Sequence, residues 1–189
     1  RSTEDFAAAP VQIVEYADLL CTDCKILADQ IKRLEEEFPG KMNVVFQPFT
    51  LEAACNDVVE KDLHPGACEI TYLATHDPSR FPSIHDEICG SWPEPKDPEW
   101  RKEMARRYGV EDAPADEATR ARVQTLIQTG KEYDRTSERY SHGIRSTPTM
   151  ILNGRMVIGT LPYDQLRAIV AALITQAEGR SSFIESWEG

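Results

Sequence analysis

The chain has 189 residues, 41% of them apolar and 28% charged, enough for a sizeable core in one domain with an insertion, and carries a formal net charge of −11. That charge excludes a nucleic-acid binder built on basic patches and implies a surface kept soluble by acid, with Glu35–Glu37 and Glu111–Glu117 as solvated faces. No apolar run is long enough to cross a bilayer and no signal-peptide core is present, but the opening RSTEDFAAAP reads as the edge of a mature or truncated product, which leaves room for a removed signal or anchor.

The first element is a short β-branched run from Val11, VQIVEY, which reads as a buried strand. After ADLL come Cys21 and Cys24, in the sequence CTDC. Leu27, Ile31, Leu34 and Phe38 then recur at helical spacing, with Ala28 widening the stripe, until Pro39 and Gly40 end the helix. Extending the stripe back one turn reaches Cys24, so Cys24 is expected to be shielded and Cys21 exposed at the helix mouth. Met42–Pro48, with Met42, Val44 and Phe46 alternating, reads as a second strand and closes a right-handed βαβ unit.

Residues 49–140 read as mostly helical. Trp100, Met104 and Tyr108 recur every four positions, and Val123, Ile127 and Gly130 mark a longer helix. Proline breaks at WPEPKDP (92–98) and Ala113–Pro114 separate the pieces. Strand character returns in TMIL (149–152), an Asn153–Gly154 turn and MVI (156–158), a hairpin pattern. Pro162 opens a last helix with Leu166, Ile169, Val170 and Leu173 on one face, and the ending is tail-like, with Phe183 and Trp187 as docking candidates.

There are five cysteines: Cys21, Cys24, Cys55, Cys68 and Cys89. If Cys21 and Cys24 act together, the others allow one further bridge and leave one thiol over. Cys55 and Cys68 enclose twelve residues, a loop whose closure is worth about 3 kcal/mol in an oxidising compartment. Cys89, beside Ile88, then reads as a small buried apolar residue.

A CxxC at a helix start suits thiol and disulfide exchange. The helix N-terminus favours an anion and lowers the pKa of the first cysteine, and the second, one turn on, resolves a mixed disulfide. Cys21 is thus the candidate nucleophile and Cys24 the resolving thiol. A bridge over two residues restrains little chain entropy and makes a poor staple. The histidines, His64, His76, His85 and His142, have no metal-like spacing, and each reads as surface or helix-end polarity, with His64 before Pro65 as a turn residue.

The order strand, CxxC, helix, strand, helical insertion, RSTPTMILNG, strand and helix resembles the thioredoxin superfamily, and within it the periplasmic DsbA-like disulfide oxidoreductases, over roughly residues 11–175. The resemblance implies an α/β thioredoxin fold, a central mixed sheet flanked by helices. Its two segments are 11–50 and 141–178, with a helical insertion at 51–140 and tails at 1–10 and 179–189. It implies a cis Pro148 facing the cysteine pair, and a Thr147 backbone that pairs with bound substrate. Glu15, six residues before Cys21, matches a buried acid that relays the Cys24 proton; the alternative is a strand-end carboxylate turned to solvent.

The stretch AACNDVVEKDLHPGACE (53–69) resembles a segment of the DsbA-like domains that partner, or are fused to, membrane homologues of vitamin K epoxide reductase. That resemblance implies a Cys55–Cys68 disulfide and a quinone-linked membrane partner. The reading is therefore an extracytoplasmic thiol:disulfide oxidoreductase acting on cysteine-containing proteins, monomeric by default and without a cofactor. The alternatives are a Cu(I)-handling protein at Cys21 and Cys24 and a redox-inert binding module.

Strong oxidants of this type carry proline and histidine between the cysteines, where this chain has Thr22 and Asp23. A carboxylate there repels a thiolate, so the Cys21 pKa is expected to lie above, and the disulfide to be less oxidising than, those of a strong oxidase.

Overall fold

The computed structural model describes residues 3–133 and 143–179. The chain begins with a short helix, α1 (Thr3–Ala8), where the sequence reads as a tail. Strand β1 (Val11–Ala17) leads through Asp18–Cys21 into α2 (Thr22–Glu37), followed by β2 (Met42–Pro48). Four helices come next: α3 (Ala67–Thr75), α4 (Phe81–Gly90), α5 (Pro98–Tyr108) and α6 (Glu117–Lys131), with a 3₁₀ turn at Glu94–Lys96. The hairpin β3 (Thr149–Leu152) and β4 (Arg155–Ile158) and a last helix, α7 (Tyr163–Ala177), complete the described residues. Phe183, Trp187 and His142 lie outside them.

The strands form one mixed sheet in the order β2-β1-β3-β4, with β1 parallel to β2 and antiparallel to β3. This is the mixed α/β thioredoxin fold. On one face Val11, Ile13, Met150 and Leu152 pack against Leu27, Ile31 and Leu34 of α2 and Leu166, Val170 and Leu173 of α7. On the other, Tyr16 and Ile151 meet Val123 and Ile127 of α6. Side chains alternate along a strand, so Glu15 shares the α2 side of β1 with Val11 and Ile13.

The helices between β2 and β3 have their own core: Ile70 and Leu73 of α3, Ile84 and Ile88 of α4, Met104 of α5. Leu19 and Leu20 join it, so the residues just before the CxxC are anchored in the helical region. Helix caps explain two boundaries: Asp97 accepts from the Glu99 N–H to start α5, and Asp116 accepts from the Thr119 N–H to start α6. The 111–117 run read as a solvated face thus contains a cap, and its Ala113 is fully buried.

Loop 51–66 enters α3 at Gly66, with φ at +92°. A Cβ there would lie 2.5 Å from Nη2 of Arg101, which is itself held by Glu69 at 2.7 Å and by the carbonyls of Pro95 and Lys96. Gly66→Ala is expected to lower the unfolding free energy by about 1–3 kcal/mol, read from the urea midpoint, because an L residue is strained at that φ and Arg101 must move.

Candidate active site

Cys21 is the N-cap of α2, in extended backbone (φ −84°, ψ 125°), and no side chain caps the helix there. Its N–H donates to the Asp18 carbonyl at 3.0 Å, and its own carbonyl accepts from Lys25 to begin the helix. Cys24 lies one turn on, on the buried stripe with Leu27 and Ile31. Its sulfur accepts from the Asp18 N–H at 3.5 Å. Both cysteines are free thiols.

The expected contrast in exposure is not present: Cys21 is 7% exposed and Cys24 5%. Helical periodicity reports only which way α2 faces, whereas the cover over Cys21 comes from a segment 126 residues away. There the Thr147–Pro148 peptide is cis, and the Cys21 thiol approaches the Thr147 carbonyl at 3.8 Å. The Thr147 hydroxyl is buried without another partner and faces the sulfur pair.

The two thiols are driven apart electrostatically. The Cys21 pKa is lowered to about 6, first by the hydrogen bond from the Cys24 thiol, against the cost of burial, and then by the N–H of Cys24, the Thr147 side chain and the N–H of Asp23. Cys24 is pushed far up, by burial first and by its bond to the Cys21 sulfur second. Thr22 and Asp23 are both exposed. Asp23 therefore acts on Cys21 through its backbone N–H, in the opposite sense to the carboxylate repulsion expected from its charge.

Beneath the pair lies a cavity of about 10 Å³, room for one water molecule, bordered by Glu15, Cys24, Lys25, Phe46, His85 and Cys89 among others. Glu15 is 4% exposed rather than turned to solvent, and burial raises its pKa to about 8. Cys89 is half-buried, and burial raises its pKa to about 12, so its thiol is an inert wall of this cavity.

The histidines within the described residues make tertiary contacts in place of surface polarity. His76 bonds to Thr119, and His85 packs between Phe46 and Phe81. His64 sits 3.1 Å from the carboxylate of Asp18, which is fully buried. Among the described residues no three or more His, Cys, Asp or Glu side chains are grouped to hold a metal.

The sequence does not single out Asp18, and it presents His64 only as a turn residue before Pro65. The available signal was an acid inside the apolar run YADLL, immediately before a CxxC. Cys55 and Cys68 are joined by a disulfide next to Phe49 and Tyr16, closing loop 51–66.

A family model described as Thioredoxin matches residues 7–172. Among solved structures, the chain is similar to the catalytic domain of Proteus mirabilis ScsC, at 15% identity and a TM-score of 0.65, over 88% of this chain and 85% of that one. It is similar to BdbD from Bacillus subtilis, at 16% identity and a TM-score of 0.65, over 89% of both chains. The thiol-disulfide exchange protein alpha-DsbA2 from Wolbachia pipientis gives 19% identity and a TM-score of 0.63, over 88% and 83%. At these identities the likeness is one of fold. A search of curated proteins finds no match.

Proposed function

The chain belongs to the thioredoxin family, and from that premise we infer that it is a protein thiol:disulfide oxidoreductase working through Cys21 and Cys24. The observation that carries this reading is the placing of the pair: Cys21 at the N-cap of α2 against the cis Thr147–Pro148 peptide, with Cys24 one turn on, an arrangement that lowers the first thiol to about 6 and pushes the second far up. At pH 7 such a Cys21 is roughly nine-tenths thiolate, the form that leaves well and attacks well.

In the oxidising direction a substrate thiolate attacks the Cys21 sulfur. The Cys21–Cys24 bond breaks, its electron pair leaves on Cys24, and Cys24 takes a proton from Glu15. A second substrate thiolate then attacks the substrate sulfur bound to Cys21, which leaves as the thiolate. Two electrons have passed from a substrate dithiol to the pair, and Glu15 recovers its proton from solvent. In the reducing direction the same steps run backwards, with Cys21 attacking and Cys24 resolving.

Thr147 and Pro148 lie over the nucleophile, where an extended substrate backbone pairs with the Thr147 peptide. Among the described residues three large apolar side chains are exposed, and each is near a site residue in sequence or register. Ile26 follows Cys24 by two residues, and Leu63 precedes His64. Ile158 pairs with Thr149, and the next N–H, of Gly159, donates to the Pro148 carbonyl. Exposed apolar side chains of this kind suit unfolded cysteine-containing chains.

The disulfide-closed segment 53–69 supports an extracytoplasmic setting and a quinone-linked membrane partner homologous to vitamin K epoxide reductase, which would take the two electrons and restore the Cys21–Cys24 disulfide. Among the described residues no helix is long and apolar enough to cross a membrane.

The test is a trap. Cys24→Ser, mixed with oxidised partner extract or with a reduced unfolded substrate plus oxidant, is expected to accumulate a reductant-sensitive adduct on Cys21, identifiable by mass, that wild type resolves and Cys21→Ser never forms. Absence of any adduct on Cys24→Ser would sink the reading in favour of a redox-inert module.

A further inference from the structure

The residues before the cysteine pair and the disulfide-closed loop meet at one side chain. Asp18 presents its backbone to the pair, with its carbonyl accepting from Cys21 and its N–H donating to the Cys24 sulfur. It presents its carboxylate to the loop: Oδ2 accepts from the Leu51 N–H at 2.6 Å and lies 3.1 Å from His64 Nδ1, while Oδ1 accepts from the Leu20 N–H at 2.7 Å. The Leu51 carbonyl in turn accepts from the N–H groups of Leu63 and His64. Asp18, Leu51 and His64 thus form a clasp that fixes the carboxylate and the His64 backbone and sets the imidazole 3.1 Å from the carboxylate.

The loop that carries His64 is itself fixed. The Cys55–Cys68 bridge closes it. The Glu52 carboxylate accepts from the N–H groups of Gly66 and Cys68, and the Asp62 carboxylate from Ala53. The His64 side chain keeps 22% of its surface, so it exchanges protons with solvent while its partner Asp18 is fully buried.

We propose that His64, held against Asp18, is a cation that tunes Cys21 beyond the hydrogen bonds the sulfur receives, so that a histidine delivered from the disulfide-closed loop, and not the Asp23 carboxylate, sets by its charge how strongly the pair holds electrons. The inference rests on the exchange activity inferred above. His64 is a positioning residue that acts on the sulfur by its charge. The charged groups facing it are Asp18 from the segment before α2, Cys21 at the α2 N-cap and Lys96 from the 3₁₀ turn. Asp18, first through its contact with the ring and then through its charge, and the Cys21 thiolate raise the His64 pKa; burial and Lys96 oppose them.

Coupling of this kind is reciprocal. If protonated His64 stabilises the Cys21 thiolate, forming that thiolate must stabilise protonated His64. The first arm therefore needs no variant: an NMR titration of the His64 imidazole in wild-type protein, reduced and then oxidised. The expected result is a higher His64 midpoint in the reduced protein, since oxidation removes the thiolate.

The second arm follows Cys21 ionisation, by thiolate absorbance and by the rate of iodoacetamide alkylation at pH 6.5, in wild type, His64→Gln and Asp23→Asn. His64→Gln is expected to raise the Cys21 pKa and slow alkylation about threefold or more, while Asp23→Asn leaves both near wild type. Equal His64 midpoints in the two redox states, or an unchanged Cys21 profile in a folded His64→Gln, would overturn the proposal while leaving exchange intact. A wild-type protein that shows neither thiolate at neutral pH nor exchange with glutathione disulfide would instead overturn the functional reading and this inference with it.

Discussion

Replacing Glu15 with glutamine is expected to stabilise the oxidised protein by up to about 5 kcal/mol above pH 8 and to leave its stability unchanged at pH 4. Burial alone raises the Glu15 carboxyl from 4.5 to about 8. Between those values the folded protein keeps a proton that the unfolded chain has lost. Folded molecules then bind more protons than unfolded ones, so unfolding becomes easier as pH rises from 4.5 and levels off above 8. Glutamine has nearly the same shape and no proton to lose, so the slope disappears.

The oxidised form is the right one to measure, because in the reduced protein Cys21 pulls the other way. Its folded pKa of about 6 lies below that of an unfolded thiol, so its contribution is fully present above the unfolded value and is lost as pH falls toward 6. Parallel urea unfolding of wild type and Glu15→Gln at pH 4, 6 and 8.5 reads the effect directly. A constant difference across that range would mean that Glu15 is ionised or solvated in the folded state. The same change is expected to slow exchange at pH 7, by up to about a hundredfold, if Glu15, which borders the same small cavity as Cys24, supplies the proton to the departing sulfur as proposed. A destabilising carboxyl kept at the site is the usual stability cost of a working acid.

The strands, α2 and the last helix were legible because their side chains obey simple periods: Val11 and Ile13 on one face of β1, and Leu27, Ile31 and Leu34 on one face of α2. A period says which way a residue faces its own element's neighbours. It says nothing about what a distant loop lays on top. Cys21 shows the limit, covered by Thr147 from 126 residues away. His64 shows it again: a histidine before proline reads locally as a turn, and only the fold brings its ring to Asp18. At Thr22–Asp23, charge and chain distance alone do not say which way a side chain points. In the structure the Asp23 side chain points to solvent, where screening is strong, while its N–H points at the sulfur.

These contacts also place the pair on a scale. A Cys21 pKa of about 6 lies between roughly 3.5 for a strong oxidase of the superfamily and about 7 for its general reductant. A lowering of three units corresponds to at most about 90 mV of a two-electron couple. On that scale small charge changes near the sulfur matter.

Removing the second disulfide, as Cys55→Ala with Cys68→Ala, is expected to cost about 3 kcal/mol, which for a chain of this size lowers the melting temperature by roughly 6–12 °C. The estimate follows from closing a loop between residues 13 apart in sequence, and the buried position of both sulfurs beside Phe49, Val123 and Ile127 adds a packing loss on the same side. The double variant is the informative one, since a single change leaves an unpaired thiol that exchanges with Cys21. The stabilised Cys21 thiolate separates the two bridges chemically, because it favours the reduced form of its own pair. A reductant titrated against oxidised wild type is expected to open Cys21–Cys24 well before Cys55–Cys68, with mass spectrometry after alkylation counting, besides the free Cys89, two modified cysteines before any molecule shows the other two. Simultaneous opening would place both bridges in one redox unit. Sequential opening makes the loop bridge a fixed frame, which is what a histidine clasped to Asp18 requires if it is to hold its place through each turnover of the working pair.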